Sequence, residues 1–309
     1  MTANDAAARA SRLAVWAALA ACLSTSLGGS SFVAMRFLVT ETEPTTIAFL
    51  RNAGAALVLA PIAFALVRRW PGPRDLLIIG AMGAVFFGGL QFLFATALTF
   101  TTSGRAALTF MTTPFLTLAL AALFRTERPT RFKVAGVIVA SAGVVVALGQ
   151  SSAAPPDAWI GDLIVLFGAL IAASFNVWSN RWLRLHDPLV VVVTGVLPAT
   201  LLLFIMAQAL GAPTVSPQLS TVGWLAVGFI GLLGSSISYM LWLWALRHTT
   251  PTLVAVSLPM NPLMALLWGA VLLGEQVTTS MVFGFVLVLI GITIANWRQR
   301  RTATQKVAS

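Results

Sequence analysis

The sequence predicts an all-α polytopic membrane protein: ten transmembrane helices, arranged as two inverted five-helix repeats, with the N- and C-termini cytoplasmic. Three observations carry this expectation. Apolar residues are 58% of the 309-residue chain and charged residues 9%. A soluble domain has about 45–50% and about 25%, so this chain lacks the charge to cover its own surface with water-facing groups. Ten apolar runs each approach the roughly 20 residues that span about 30 Å of hydrocarbon as a helix. Finally, Lys and Arg fall almost entirely between alternate runs. Open strands are excluded inside lipid, where unpaired backbone groups have no water to bond.

The first run, 13–35, follows Arg9 and Arg12, and its Ser24, Gly28, Gly29, Ser30 and Ser31 suit close approach of another helix. Leu19-Ala20-Ala21-Cys22 matches a lipoprotein cleavage box. Cleavage there would leave half a span and spoil the charge alternation, so the segment is read as a helix. The second run, 45–67, opens behind Glu43-Pro44 and stops at Arg68 and Arg69. Trp70-Pro71-Gly72-Pro73 precedes the third, 76–98. The fourth, 105–124, contains Pro114, and the stretch from Arg125 to Lys133 leads into the fifth, 131–149. After Ser151 to Pro156 the sixth, 159–180, reaches Arg181, and the seventh, 188–210, runs from Asp187-Pro188 to the turn Gly211 to Pro217. The eighth, 221–246, ends at Arg247. The ninth, 251–273, contains Pro259 and Pro262 and stops at Gly274-Glu275. The tenth, 279–297, runs into a basic tail. Trp16, Trp70, Trp159, Trp182, Trp224 and Trp297 lie near span ends, as an interfacial aromatic belt requires.

With a cytoplasmic N-terminus, sixteen Lys and Arg residues fall on the inner side, against Arg36 and Arg105 on the outer side, and Arg51 lies within a span. That distribution obeys the positive-inside rule. It explains the net charge of +10 by topology rather than by nucleic acid, which is not expected as a partner. The expected location is the inner or plasma membrane. Cys22 is the single cysteine, which excludes an intramolecular disulfide and a cysteine zinc site, and His186 and His248 are too few for a metal cage. No cofactor or metal is expected. The expected partners are the lipid bilayer and a small-molecule substrate. The oligomeric state is left open, and a monomer suffices.

The chain repeats itself at an offset of 148. Gly80, Gly83, Ala97-Leu98, Thr101-Thr102, Pro114, Glu127, Thr130, Gly136 and Gly143 match Gly228, Gly231, Ala245-Leu246, Thr249-Thr250, Pro262, Glu275, Thr278, Gly284 and Gly291. Without gaps, 16 of 64 positions are identical, where composition alone gives roughly 5 or 6. The repeats divide the chain into 1–150 and 151–309. Each holds five spans, and five is odd, so the second enters the membrane from the opposite side and Glu127 and Glu275 lie at opposite ends. Inverted repeats are characteristic of secondary transporters, whose halves exchange arrangements around a fixed site.

The chain resembles the drug/metabolite transporter superfamily, in its EamA-type branch of ten-helix carriers. The residues that carry the resemblance are Gly29-Ser30-Ser31-Phe32-Val33-Ala34-Met35-Arg36, Phe49-Leu50-Arg51, Pro114, Glu127 and Gly136 to Gly143. In the second half they are Gly161-Asp162, Pro262, Gly274-Glu275, Gly284 and Gly291. The resemblance covers essentially the whole chain. It implies export or exchange of small metabolites, often amino acids, without nucleotide hydrolysis, and it leaves the substrate open.

Prolines in matching spans point to the site. Pro114 and Pro262, with Pro259 beside the latter, should break or gate their helices by removing a donor and freeing the carbonyl one turn earlier. Thr109 and Thr113, with twins Ser257 and Asn261, keep an i, i+4 spacing beside them. Gln91 pairs by offset with Tyr239, and Phe94 with Trp242. Ser235, Ser238, Tyr239 and Trp242 are spaced to share a helical face, which suits a cavity for a molecule with polar and flat apolar parts. Each hydroxyl alone could equally serve backbone bonding or packing. Arg51, well inside a span, either attracts a substrate carboxylate or snorkels or pairs with Glu41, Glu43 or Glu275. No carboxylate sits at mid-membrane, which argues against a strongly cationic substrate. Asp162 is a helix-start cap or, failing that, the candidate for proton coupling. The expected function is secondary transport, export or exchange of small metabolites, amino acids first, with drug or other metabolite efflux as the alternative. The sequence has no phosphate-binding loop for an ATP-driven pump. A passive channel fits proline-broken spans poorly, and no base is placed to activate a serine in Gly234-Ser235-Ser236 for hydrolysis, so no enzymatic activity is expected.

Overall fold

A computed structural model describes residues 3–124, 131–149, 155–248 and 257–307. Every regular element among them is helical. In chain order they are α1 Ala3–Leu38, α2 Pro44–Leu66, α3 Pro73–Phe100, α4 Ser103–Phe110, α5 Thr113–Leu123 and α6 Arg131–Gly149. Then come α7 Ala158–Leu185, α8 Pro188–Ala209, and α9, an unbroken run of Thr221–Gly228, Phe229–Ile237 and Ser238–His248. The last are α10 Met260–Leu273 and α11 Thr279–Val307. Seven helical stretches are long and apolar enough to cross a membrane, α4 and α5 counting together, and α6, α10 and α11 supply three shorter apolar helices. Arg125, Glu127, Arg128, Thr130, Thr249, Thr250 and the first residues of the ninth apolar run lie outside the described residues.

Local chemistry sets the helix ends. Pro44, Pro73, Pro114 and Pro188 each sit in the first turn of a helix, where a missing N–H costs nothing and the fixed φ is already helical. Thr102, Asp187 and Ser220 cap α4, α8 and α9 by accepting from backbone N–H groups of the first turn. α10 stops at Gly274, whose φ of 65° is left-handed, and the Glu275 N–H then turns back 3.0 Å to the Gly269 carbonyl.

The helices pack in related pairs. α1 lies against α9 and α10, and α7 lies against α3, α4 and α5. α2 pairs with α8, and α6 pairs along its length with α11. Two of these seams depend on absent side chains. A Cβ at Gly54 of α2 would sit 3.0 Å from the Gly231 Cα of α9, and one at Gly143 of α6 would sit 2.7 Å from the Gly284 carbonyl oxygen of α11. Large apolar side chains meanwhile point outward. Leu57, Leu77, Leu123 and Leu225 are each at least 70% exposed, which an aqueous surface does not tolerate in such number and a lipid-facing one requires. Trp159 and Trp224 are exposed near helix ends, and Trp16 is exposed where the apolar part of α1 begins. Trp182 departs from the expected belt: it is buried against Ile79 and Val191 and stacks on His186.

α3 and α9 each contain a π-helical segment, Ala84–Gly89 and Phe229–Ile237, and these overlap at the repeat offset. A π segment loosens the backbone ladder and offers carbonyls to other donors. Two consecutive residues of α2 use them. Asn52 Nδ2 donates to the Phe87 carbonyl at 3.0 Å, and Arg51 Nη2 donates to the Gly234 carbonyl at 3.1 Å.

The two ends of the bundle differ. At one, Glu41 meets the Ser220 hydroxyl and N–H at the start of α9, the Thr46 hydroxyl donates to the Pro213 carbonyl, and Arg36 donates to the Leu98 carbonyl. At the other, His186 pairs with Asp75 at 3.3 Å. There a cleft of about 840 Å³ opens among Arg68, Arg69, Trp70, His186, Met240 and Trp244.

Candidate substrate site

The centre of the bundle holds two residues that the repeat makes twins. Gln91 of α3 and Tyr239 of α9, 148 residues apart, meet with Gln91 Nε2 at 3.5 Å from the Tyr239 hydroxyl. Gln91 is buried and its Oε1 has no hydrogen-bond partner. Tyr239 is half-buried, with its ring edge-on to Phe87 at 5.5 Å, and Phe86 stacks on Phe175 beside it at 4.0 Å. The Tyr239 hydroxyl also lies within electrostatic reach of the Arg51 guanidinium.

Buried polar atoms without partners come from both halves. Besides Gln91 Oε1 they include Thr109 Oγ1, Ser235 Oγ, Asn261 Oδ1 and Arg51 Nε. Leaving a buried polar group unpaired costs about 1–3 kcal/mol. These atoms belong to α2, α3, α4, α9 and α10, and such groups are what a polar ligand would satisfy. Their chemistry is neutral amide and hydroxyl with one cation. In the second half, Asn261 lies where α1 comes closest to α10: a Cβ at Gly28 would be 3.3 Å from Asn261 Nδ2, and one at Gly29 would collide with the Asn261 carbonyl.

The helix breaks fall beside this cluster. Met111 and Thr112 separate α4 from α5, and a turn over Ser257, Leu258 and Pro259 precedes α10. Pro114 and Pro262 therefore stand in the first turn of a new helix rather than in the interior of a kinked one, and Pro259 is the N-cap of α10. The carbonyls freed at the first break are bonded by neighbours: the Thr113 hydroxyl donates to Phe110 at 2.7 Å and the Thr112 hydroxyl to Thr109 at 2.8 Å. At the second break, Thr25 of α1 reaches the Ser257 carbonyl at 2.9 Å.

Several expected placements change. Ser235, Ser238, Tyr239 and Trp242 do not present one face. Ser235 lies inside the π segment, which alters the register. Ser238 exchanges hydrogen bonds with Ser24 of α1, Trp242 packs on Ala20 and Ala21, and only Tyr239 turns to α3. Phe94 packs with Phe32 and Phe110, at 5.1 and 4.9 Å, so Phe94 and Trp242 rest on different neighbours. Arg51 bonds no glutamate: its guanidinium holds the Gly234 carbonyl and lies 3.3 Å from the Met35 sulfur. Asp162 is not a cap. Asp157 occupies the N-cap position of α7, and Asp162, one turn on, forms an ion pair with Arg105 and accepts from the Thr101 hydroxyl at 3.3 Å. Arg105, expected at the outer side, is buried at 4% exposure. Asn52 was missed. Neither its spacing nor its residue type sets it apart until the π segment of α3 is known.

A helical membrane protein around a buried, two-sided polar cluster is the class that fold and site define. The chain belongs to the EamA-like transporter family, whose model matches it twice, over residues 15–149 and 159–297. An "Uncharacterized transporter" of Archaeoglobus fulgidus is 29% identical over 90% of this chain and 97% of its own length. A Salmonella typhimurium protein named "Probable amino-acid metabolite efflux pump" is 29% identical over 92% and 96%. A Streptantibioticus cattleyicolor protein named "Probable terminal-alkyne amino-acid exporter" is 27% identical over 94% and 97%. A crystal structure superposes with a TM-score of 0.67 at 23% identity, covering 93% of this chain and 98% of its own, and so shares the fold. Family and relatives alike are named as transporters rather than enzymes.

Proposed function

We propose that this protein is a secondary exporter or exchanger of small metabolites, amino acids first, working by alternating access in the cell membrane. The single observation that carries this is the Gln91–Tyr239 contact. It joins equivalent residues of the two repeats, one of which, Gln91, keeps a buried amide oxygen without a partner. A site on the axis relating two halves stays in place while the halves rock around it. In this reading the ten apolar segments are ten spans, 1–150 and 151–309 are inverted repeats, and both termini are cytoplasmic. The related helix pairs and the matched π segments support the repeats, and the sixteen-to-two charge distribution supports the orientation.

Gln91 and Asn261 offer carbonyl oxygens to an ammonium group. Thr109, Thr113, Ser235 and Tyr239 offer hydroxyls, and Arg51 Nε offers a donor to a carboxylate. Phe86, Phe87 and Phe175 supply an apolar wall. An amino acid with an apolar side chain matches this set, and two relatives carry amino acids in their names. Counterflow in proteoliposomes tests the reading. Vesicles are loaded with unlabelled phenylalanine or, separately, threonine, and labelled amino acid is added outside, with and without a pH gradient. Saturable uptake that requires internal amino acid, unaffected by the gradient, is the expected result. Absence of uptake for both would move the assignment to efflux of drugs or other metabolites.

A further inference from the structure

The Glu41 end of the bundle is closed by carboxylates of the second repeat that grip one short helix of the first. α4, Ser103–Phe110, is an eight-residue helix isolated by the extended Thr101–Thr102 before it and the Met111–Thr112 break after it. Glu275 takes its N-terminus, accepting from the Ser103 N–H at 2.9 Å, the Ser103 hydroxyl at 2.7 Å and the Gly104 N–H at 3.3 Å. Asp162 of α7 takes its first turn through the ion pair with Arg105. Ser103 and Arg105 are both buried. The far turn of the same helix carries Thr109, with its unpartnered hydroxyl, about 9 Å further along the axis.

We propose that Arg105, Asp162 and Glu275 form the latch of the outer gate, and that α4 is the gate it holds. The inference rests on the proposed orientation, which places this end outside. The argument is one of broken symmetry. If the two repeats were identical, outward-open and inward-open arrangements would be equal in energy, since each is the other with the halves exchanged. Whatever differs between the repeats sets the preference. Glu275 has a counterpart in sequence, Glu127, but the ion pair has none: at the same offset Arg105 aligns with Leu253 and Asp162 with Ala14. Among the described residues a buried ion pair occurs at this end alone, and it biases the protein towards the state in which this end is closed. α4 then links the latch to the site, because contact of a substrate with Thr109 acts on the far turn of the same short helix whose first turn Asp162 and Glu275 hold.

The single cysteine makes the test direct. In a Cys22→Ala background, Thr109→Cys is reacted with a membrane-impermeant maleimide, added outside right-side-out vesicles and, separately, outside inverted ones. With the latch intact, labelling from the outside is slow. Asp162→Asn and, independently, Glu275→Gln are each expected to raise the outside rate about tenfold, in the range of ordinary coupling energies, without raising the rate from the cytoplasmic side. The exchange Arg105→Asp with Asp162→Arg is expected to return it towards the starting value. Monodispersity in detergent confirms that each variant is folded. Folded Asp162→Asn and Glu275→Gln proteins that both label at the parent rate would overturn the latch. A rise confined to inverted vesicles would leave α4 a gate but overturn its assignment to the outer end. Counterflow on the parent protein decides the transport reading separately.

Discussion

Gln91 and Tyr239 are where the reading of the residues can be tested with least disturbance. Tyr239→Phe removes the hydroxyl that meets Gln91 and keeps the ring against Phe87. In the proposed site that hydroxyl also bonds substrate, so its loss, about 1 kcal/mol, should raise the KM for counterflow several-fold, while losing the long 3.5 Å contact to Gln91 leaves the thermal midpoint in detergent little changed. Arg51 behaves differently. Its Nη2 holds a carbonyl in the π segment of α9, so Arg51→Ala should lose about 2 kcal/mol of stability and lower the thermal midpoint even without substrate. An Arg51→Ala protein that melts like the parent but fails to transport would make it a substrate ligand alone. The pairing of Gln91 with Tyr239 was legible in the sequence because an amide and a phenol are costly inside a span and these two sit at matched offsets. Ser238 shows the limit: it looks like a site residue by type and spacing, yet it bonds Ser24 across a helix seam.

At the scale of elements, the seam between α6 and α11 and the break between α4 and α5 have opposite roles. Gly143→Leu would drive a side chain into the Gly284 backbone, which cannot move aside as a side chain can. The expected outcome is a large loss of folded protein, seen by size-exclusion chromatography, with unaltered KM in whatever fraction survives. Pro114→Ala restores an N–H that can bond back towards Phe110 and continue α4 into α5. Turnover should fall several-fold while the thermal midpoint holds or rises, because a straighter helix is more stable and less able to move. Both prolines were legible as breaks. Their place in the first turn of a new helix was not, because that depends on the Thr112 and Thr113 hydroxyls satisfying the carbonyls behind them.

For the whole molecule, the orientation gives a prediction independent of any substrate. A reporter active only outside the cytoplasm should be active when fused within 39–43, 151–156 or 274–278, and silent after residue 70, 186 or 300. The same map decides which end the latch closes. In the structure, the end with Glu41, Arg105 and Glu275 is tied by hydrogen bonds and an ion pair, while the end with Arg68, Arg69 and His186 carries the cleft.

What the sequence determined by itself is what depends on composition and local order. Apolar runs of membrane length make helices, because a backbone in lipid can satisfy itself in few other ways. Residues 148 apart are related because the pattern repeats. Arg105 and Asp162 belong to the other category. Read along the chain they are an outer-side charge and a helix-start acid 57 residues apart, and nothing in their spacing joins them. Only the packing of α7 against α4 brings them into one buried pair. The π segments are similar: no residue between Ala84 and Gly89 announces an extra residue in the turn, and only α2, arriving with Asn52 and Arg51, makes the freed carbonyls affordable. Charge pairing and carbonyl capture act across helices, so they are set by tertiary packing, whereas span length and repeat are set residue by residue.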